Sequence, residues 1–184
     1  MAGIIRRYQS EIYGNYRRAG LLYGLATGLL MSLVVFFMYI ITLPIQAPES
    51  YPTTIALVTG TFLFGYLYRR TLPEGKVFFK ELILMGIYLG VVASVVYGLF
   101  LVLYASVIDT DFISNCCQLY SNNVMNSEQP QEIIDNSVEA FSNYTAWTWG
   151  GVGAFRSGVM TILVAFVMAL VFKTEKQQVK VKEK

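Results

Sequence analysis

Three long apolar stretches constrain this chain more than any other feature of its sequence. Residues 20–43 and 82–108 carry no charge, and residues 150–172 carry only one, Arg156. Each stretch exceeds the about 20 residues that a helix needs to cross the hydrocarbon core of a bilayer. Hydrophobic residues make up 55% of the chain and charged residues 14%, which is unlike a soluble domain. We therefore predict an all-α integral membrane protein.

A shorter apolar stretch, residues 53–68, is predicted to form one more span, the second of four. As a helix it would be about 24 Å long at ~1.5 Å per residue, so flanking residues or a locally thinner membrane must help it to cross. We count it as a span because, without it, the basic segments before and after it would lie on opposite sides of the membrane.

The distribution of Lys and Arg predicts how the spans are oriented. The N-terminal segment has four such residues, the middle loop four and the C-terminal tail five, whereas the other two connections have none. Because positive charge collects on the cytoplasmic side, both termini and the middle loop are expected in the cytoplasm. The predicted single domain, 1–184, comprises an amphipathic cytoplasmic segment 1–18, spans 20–43, 53–68, 82–108 and 150–172, a cytoplasmic loop 69–80, a periplasmic acidic loop 109–148 and a cytoplasmic tail 173–184.

The periplasmic loop between the third and fourth spans is predicted to contain a helical hairpin. Apolar residues recur at helical spacing on both sides of the turn-forming stretch NSEQP. We expect the hairpin to lie against the outer ends of the spans. The apolar positions are Phe112, Cys116, Leu119 or Tyr120, and Val124 before the turn, and Ile134, Val138 and Phe141 after it.

Small residues recur at every fourth position in three of the predicted spans. Residues four apart share a helix face, and small side chains there let helix backbones approach closely in a membrane. We expect the first span to pack on the third, and we interpret the stripes as internal packing; a homodimer interface is the alternative. The first two stripes align at a constant offset, which fits either a duplicated hairpin or chance. The predicted packing residues are Gly20, Gly24, Gly28, Ser32, Gly86, Gly90, Ser94, Gly98, Ala154 and Gly158.

The sequence offers little for catalysis or metal binding. It has no histidine, which removes the commonest general base and metal ligand. Its two cysteines, Cys116 and Cys117, are adjacent, which disfavours a disulfide between them and leaves no zinc ligand set. We interpret them as unpaired thiols, the alternative being an intermolecular disulfide or a redox sensor. We therefore expect no enzyme activity, no cofactor, no metal and no nucleic-acid partner; catalysis by Asp109 or Asp111 is a distant third hypothesis.

Arg156 is the one charge inside the last apolar stretch, and a charge within a span indicates a functional site by default. It lies 17 residues before Lys173, or about 25 Å along a helix, which would place it near the outer edge of a core about 30 Å thick. From there its long side chain can extend outward. We predict a structural ion pair between Arg156 and Asp109 or Asp111, tying the fourth span to the outer end of the third.

The order of these segments resembles a known family. The first span opens with AGLLYGLATG, the basic loop reads YRRTLPEGKVFFKELILMG, the third span ends in LYASVIDTDF and the acidic loop contains QPQEIIDNSVEAF. The chain is similar to the DUF4199 family, four-span proteins of unknown function found mostly in Bacteroidota. The resemblance implies a multi-pass protein of the bacterial inner membrane without an established activity. It also implies an accessory role beside lipid-linked glycosyltransferase-like proteins.

Two classes of function follow from these expectations. The first is a non-enzymatic accessory, assembly or anchoring subunit of an envelope-associated membrane complex. Its partners would be the lipid bilayer and either another membrane protein or further copies of the chain. The alternative is a small oligomeric transporter or channel, which the small-residue stripes would allow. The lack of charge inside the first three predicted spans argues against a proton or ion relay.

Overall fold

The computed structural model describes residues 16–41, 51–72, 77–125 and 131–174. Most of the predicted amphipathic segment and most of the C-terminal tail lie outside these residues. Within them the chain is helical and contains no strand. The helices are α1 (Tyr16–Ile40), α2 (Tyr51–Thr71), α3 (Phe79–Leu103), which continues into a π-helical turn (Tyr104–Ile108), α4 (Phe112–Met125), α5 (Gln131–Ser142) and α6 (Ala146–Phe172).

Three of these helices are long and apolar enough to cross a membrane. They are α1 with 25 residues, α3 with its π-helical turn at 30 residues, and α6 with 27. Helix α2 has 21 residues but carries five threonines, and it is not among the candidate spans of the described chain. The secondary structure of the described residues is all helical, with three candidate spans, whereas the predicted second span, residues 53–68 in α2, stays a prediction.

Local capping determines where the long helices begin. The Thr145 side chain accepts a hydrogen bond from the Thr148 N–H at 3.2 Å, which caps the start of α6. At the start of α3 the Phe78 N–H donates to the Glu81 carboxylate at 3.4 Å, in a position where the helix dipole favours negative charge. Pro52 is the second residue of α2, where its missing N–H removes no helical hydrogen bond.

Helix α3 is the centre of the bundle. It makes its most extensive contacts with α6 and α1, while α2 packs mainly on α1 and α6 and hardly touches α3. The end at which α3 ends and α6 begins is called here the outer end, after the predicted orientation, and the opposite end the inner end. One core cluster near the outer end includes Tyr97, Leu101 and Trp149; a second, near the inner end, includes Leu82 and Met168. Helix α3 therefore lies between α1 and α6, and α2 packs against the same two helices on the opposite side of the bundle.

The region between α3 and α6 forms two helices that contact each other, as the helical spacing in the sequence predicted. Phe112 and Cys116 of α4 are buried against the outer core, and Ile134 of α5 is also buried. The other four predicted hairpin positions are Leu119 or Tyr120, Val124, Val138 and Phe141, of which only Val138 has a described side chain, and it is half-buried.

Charged residues collect at the two ends of the bundle. At the inner end, two hydrogen bonds join the segment before α3 to the segment after α6. The Thr174 N–H donates to the Val77 carbonyl at 3.1 Å, and the Val77 N–H donates to Thr174 Oγ1 at 3.3 Å. Between the two ends, Arg156 is the single charge in the described helices. The inner end carries Arg17, Arg18, Arg69, Arg70, Lys80, Glu81 and Lys173, and the outer end carries Asp109, Asp111, Glu132, Asp135 and Glu139.

Candidate functional site

The contact between α1 and α3 is close enough to exclude side chains. A Cβ atom added to Gly20 or Gly24 would lie 2.6 Å from α3 atoms, and one added to Gly28 would lie 2.8 Å from Val96 Cβ. Ser32 is buried and donates to the Gly28 carbonyl at 2.8 Å. The first predicted stripe is thus an internal interface with α3.

The second predicted stripe, on α3, faces α6 instead of α1. A Cβ atom on Gly90 would lie 2.9 Å from Thr161 Cγ2, and one on Gly98 would lie 2.7 Å from Ala154 Cβ. The two aligned stripes therefore occupy different interfaces, so their similarity does not correspond to equivalent contacts. The remaining members of this interface are Gly86, which meets Ala165, and Ser94, which meets Gly158.

The outer end of α3 is built around the π-helical turn, which nothing in the sequence pattern indicated. The turn lets the Tyr104 hydroxyl donate to Asp109 Oδ2 at 3.2 Å while the Asp109 N–H donates to the Tyr104 carbonyl at 2.9 Å. Edge-to-face aromatic contacts continue from Tyr104 to Phe112 and then to Trp149, with ring centroids 5.1 Å and 5.5 Å apart. This cluster holds α4 onto the ends of α3 and α6.

The two cysteines lie beside that cluster, and neither forms a disulfide with a described residue. Burial, together with smaller contributions from the neighbouring Cys117 and Asp109, raises the pKa of Cys116 to about 12. Burial also raises the pKa of Cys117. Because the thiolate is the reactive form, both side chains are poor nucleophiles at neutral pH. No group of His, Cys, Asp or Glu side chains in the described ranges could hold a metal ion.

The depth of Arg156 follows from the antiparallel packing of α6 on α3. Gly158 lies against Ser94, and Ala154 lies against Gly98, so Arg156 is level with Val96. Asp109 is 13 residues beyond Val96, or roughly 20 Å along the helix axis at ~1.5 Å per residue. The guanidinium group cannot bridge that distance, because the arginine side chain is only about a third as long.

The predicted ion pair is accordingly not formed in the described structure. Arg156 is exposed on α6, Asp109 is bound by Tyr104, and Asp111 is exposed near the start of α4. The prediction placed Arg156 near the outer edge of the membrane because it took Lys173 as the inner edge of the hydrocarbon core. Packing shows instead that the arginine lies about midway between the two charged ends of the bundle.

A comparison with known protein families assigns the chain to one of them. The family described as "Protein of unknown function (DUF4199)" matches residues 22–174. The chain belongs to the DUF4199 family. Searches of curated proteins and of solved structures gave no match. The resemblance seen in the sequence is thus confirmed, and the match covers all six described helices of this DUF4199 protein except the start of α1.

A layer of buried hydroxyl groups crosses the middle of the DUF4199 bundle at about the depth of Arg156. Thr61, Ser94, Ser157 and Thr161 each donate to a carbonyl four residues earlier in their own helix. Thr27 is fully buried against Gly60, and its hydroxyl has no hydrogen-bond partner among the described residues. The layer is therefore polar in composition, but most of its hydroxyl groups donate hydrogen bonds within their own helices and not between helices.

An apolar groove of about 220 Å³ opens between α3 and α6 toward the outer end. Gly151 faces it with no atom within 4 Å of an added Cβ, and Trp147, 71% exposed, stands beside it. Arg156 is not part of its lining. The other lining residues are Val95, Gly98, Leu99, Val102, Gly150 and Ala154.

Proposed function

We propose that this DUF4199 protein is a non-enzymatic, four-span protein of the bacterial inner membrane, with both termini in the cytoplasm. In this proposal it anchors or assembles a larger complex in the cell envelope. The observation that carries the proposal is Arg156, a charge exposed near mid-depth on a helix long and apolar enough to span a membrane.

The packing of α2 supports its assignment as a membrane span, the second of the four along the chain. Tyr23 of α1 stacks on Phe64 of α2 with ring centroids 4.6 Å apart, and Gly65 meets Met168 of α6. The helix therefore runs beside two candidate spans over the same depth. Two of the threonines that lower its hydropathy, Thr53 and Thr61, are buried in the bundle, so they do not contact lipid. Its basic end fits a return to the cytoplasmic side.

The exposed charge is the reason to propose a complex rather than an isolated bundle. An arginine at the centre of a span costs about 2.5–3.5 kcal/mol on insertion scales, and such residues nearly always face protein or a water-filled cavity. The other large side chains on the same side of α6 are apolar, including Phe155 at 73% exposure and Leu163 at 59%. A second membrane protein that covers this side would remove the arginine from lipid.

Purification in mild detergent tests the proposal. The full chain is extracted from the cells that produce it, and its native mass is measured together with the identity of co-purifying proteins by mass spectrometry. We expect a stable complex that contains at least one further membrane protein. Recovery of the chain alone, at the mass of a single detergent-bound copy, would contradict the proposal.

The second candidate is a small oligomeric transporter or channel, which the hydroxyl layer favours. These hydroxyl groups are buried inside one bundle and mostly donate within their own helices, so they would have to turn away from those carbonyls to line a polar path. Solute or ion flux into liposomes that contain the purified protein alone would support this candidate. Flux equal to that of protein-free liposomes for a panel of ions and small solutes would contradict it.

A further inference from the structure

We infer that Arg156 pairs with a carboxylate carried by a transmembrane helix of another protein, which packs on the outward face of α6 near the middle of the bilayer. This inference rests on the proposed membrane complex and names the chemistry of its partner. The outward face of α6 is defined here as Val152, Phe155, Arg156, Val159 and Leu163.

The outward face of α6 has the geometry of a helix-docking surface. Its apolar members are spaced three or four residues apart, and Arg156 lies four residues after Val152 and three before Val159, so all five lie on one side of the helix. Phe155 is 73% exposed and Val159 46%, and no hydrogen bond or ion pair joins Arg156 to any described residue. The stripe presents one charge between apolar side chains, which favours a partner that is apolar except for one neutralising group.

Arg156 lies too deep for its guanidinium group to reach the lipid headgroups. Lys80 lies 16 residues before Val96, the residue level with Arg156, and Asp109 lies 13 residues after it. The two charged ends are thus about 44 Å apart at ~1.5 Å per residue, which equals the thickness of a whole bilayer with its headgroups, about 40–45 Å. Arg156 therefore lies within about 2 Å of the midplane along the helix axis, beyond the reach of an extended arginine side chain to the headgroups.

Charge complementarity then identifies the partner as a different protein. Among its described residues, a second copy in the same orientation has no carboxylate at this depth, because α1, α2 and α6 contain no Asp or Glu and α3 contains only Glu81 at its inner end. Asp109 and Asp111 lie 13 and 15 residues beyond Val96, at the outer end. Glu49, two residues before α2, lies outside the described residues. A carboxylate on a foreign span satisfies both the sign of the charge and the depth.

The experiment combines charge variants with a photoreactive residue in the full chain, expressed in the cells that normally make it. The photoreactive residue replaces Val159 on the outward face or, as a matched control, Val91 on the exposed side of α3. Each is combined with Arg156, Arg156→Lys or Arg156→Gln. A further variant, Glu49→Gln, tests pairing within the chain. The yield and unfolding temperature of each purified variant show whether the bundle itself is intact.

The expected result is a crosslink from position 159, and not from position 91, to a protein with an Asp or Glu in a transmembrane segment. Arg156→Lys should retain it, whereas Arg156→Gln should lower its recovery about tenfold or more, as for removal of one member of a buried ion pair. Replacing the partner's carboxylate with its amide should cause the same loss. Exchanging the charges, with Arg156→Glu and a partner lysine, should restore the crosslink.

Four results would overturn the inference. They are equal crosslinking with Arg156→Gln, crosslinking of position 159 to a second copy, crosslinking to lipid alone, and a loss that Glu49→Gln reproduces. These outcomes are distinct from failure of the proposed function. If the partner co-purifies equally with wild type and Arg156→Gln, the complex stands and only the ion pair is wrong; if wild type brings down no partner, both are wrong.

Discussion

The inward face of α6, which packs on α3, differs from the outward face in how closely it contacts the rest of the bundle and in charge. On the inward face a Cβ atom added to Gly150 would lie 2.6 Å from the Gly98 carbonyl oxygen. On the outward face Phe155 and Leu163 are mostly exposed, and Arg156 stands between them without a partner in the described chain.

The difference separates what this chain completes by itself from what it leaves for another molecule. In a membrane, helices associate through close van der Waals contact rather than through the hydrophobic effect. The inward face has that contact over most of its length, so α6 needs no further protein to stay on α3. The outward face has a charge that lipid does not solvate, so the free energy of exposing this face depends on what covers it.

The largest effect is expected from leucine at Gly150 of α6, compared with leucine at the adjacent Gly151. Gly150→Leu should destabilise the bundle by about 3 kcal/mol or more, because the new side chain would overlap Val102 and the α3 backbone. Gly151→Leu, where an added Cβ meets nothing within 4 Å, is the matched control and should change stability little. Unfolding in mixed detergent micelles measures both, and equal effects would show that α6 does not pack as described.

A smaller effect of opposite sign is expected at Arg156. Arg156→Leu removes no hydrogen bond or ion pair among the described residues and should favour membrane insertion of α6 by about 2.5 kcal/mol, as for other charges near the centre of a span. The fraction of inserted helix in a translocon-mediated insertion assay measures this, with Arg156→Lys as the control that keeps the charge. Insertion that worsens with leucine would indicate that the arginine is solvated within this chain.

The smallest effect concerns the polar groups that the bundle does cover. Thr27→Val should stabilise the protein by about 1 kcal/mol, because it removes a buried hydroxyl without a described partner. Thr61→Val should be neutral or slightly destabilising, since that hydroxyl donates to the Leu57 carbonyl at 2.8 Å. The same micelle unfolding assay distinguishes them. If Thr27→Val is the more damaging of the two, the Thr27 hydroxyl is bound, for example by water.

Much of the fold was predictable because membrane spans are recorded locally in the sequence. Uncharged length indicated α1, α3 and α6, and small residues four apart indicated which faces pack. The π-helical turn at Tyr104 was not predictable, since it depends on the Asp109 carboxylate and on Phe112 meeting the same ring. Such a turn is a tertiary arrangement without a periodic signal.

The position of Arg156 shows most clearly what the sequence could not supply. Counting from Lys173 gives a distance along α6 but no relation to α3, and depth depends on where both charged ends lie. The register between the two helices is established only by their contacts in the structure, such as those of Gly158 with Ser94 and of Ala154 with Gly98. With that register, Arg156 is an exposed charge near mid-depth and does not form the ion pair that was predicted at the outer edge.

The central claim, that position 156 is uncovered near the bilayer midplane, is tested most directly by spin-label depth. A label is placed at position 156, at Val95, which is exposed at almost the same level, or at Trp147 near the outer end, after both native cysteines are replaced by serine. In bilayers of the purified protein, labels at 156 and 95 should show equally high collision with oxygen and equally low collision with a water-soluble nickel complex, unlike the label at 147. A label at 156 that matches position 147, or that neither reagent reaches, would contradict the account.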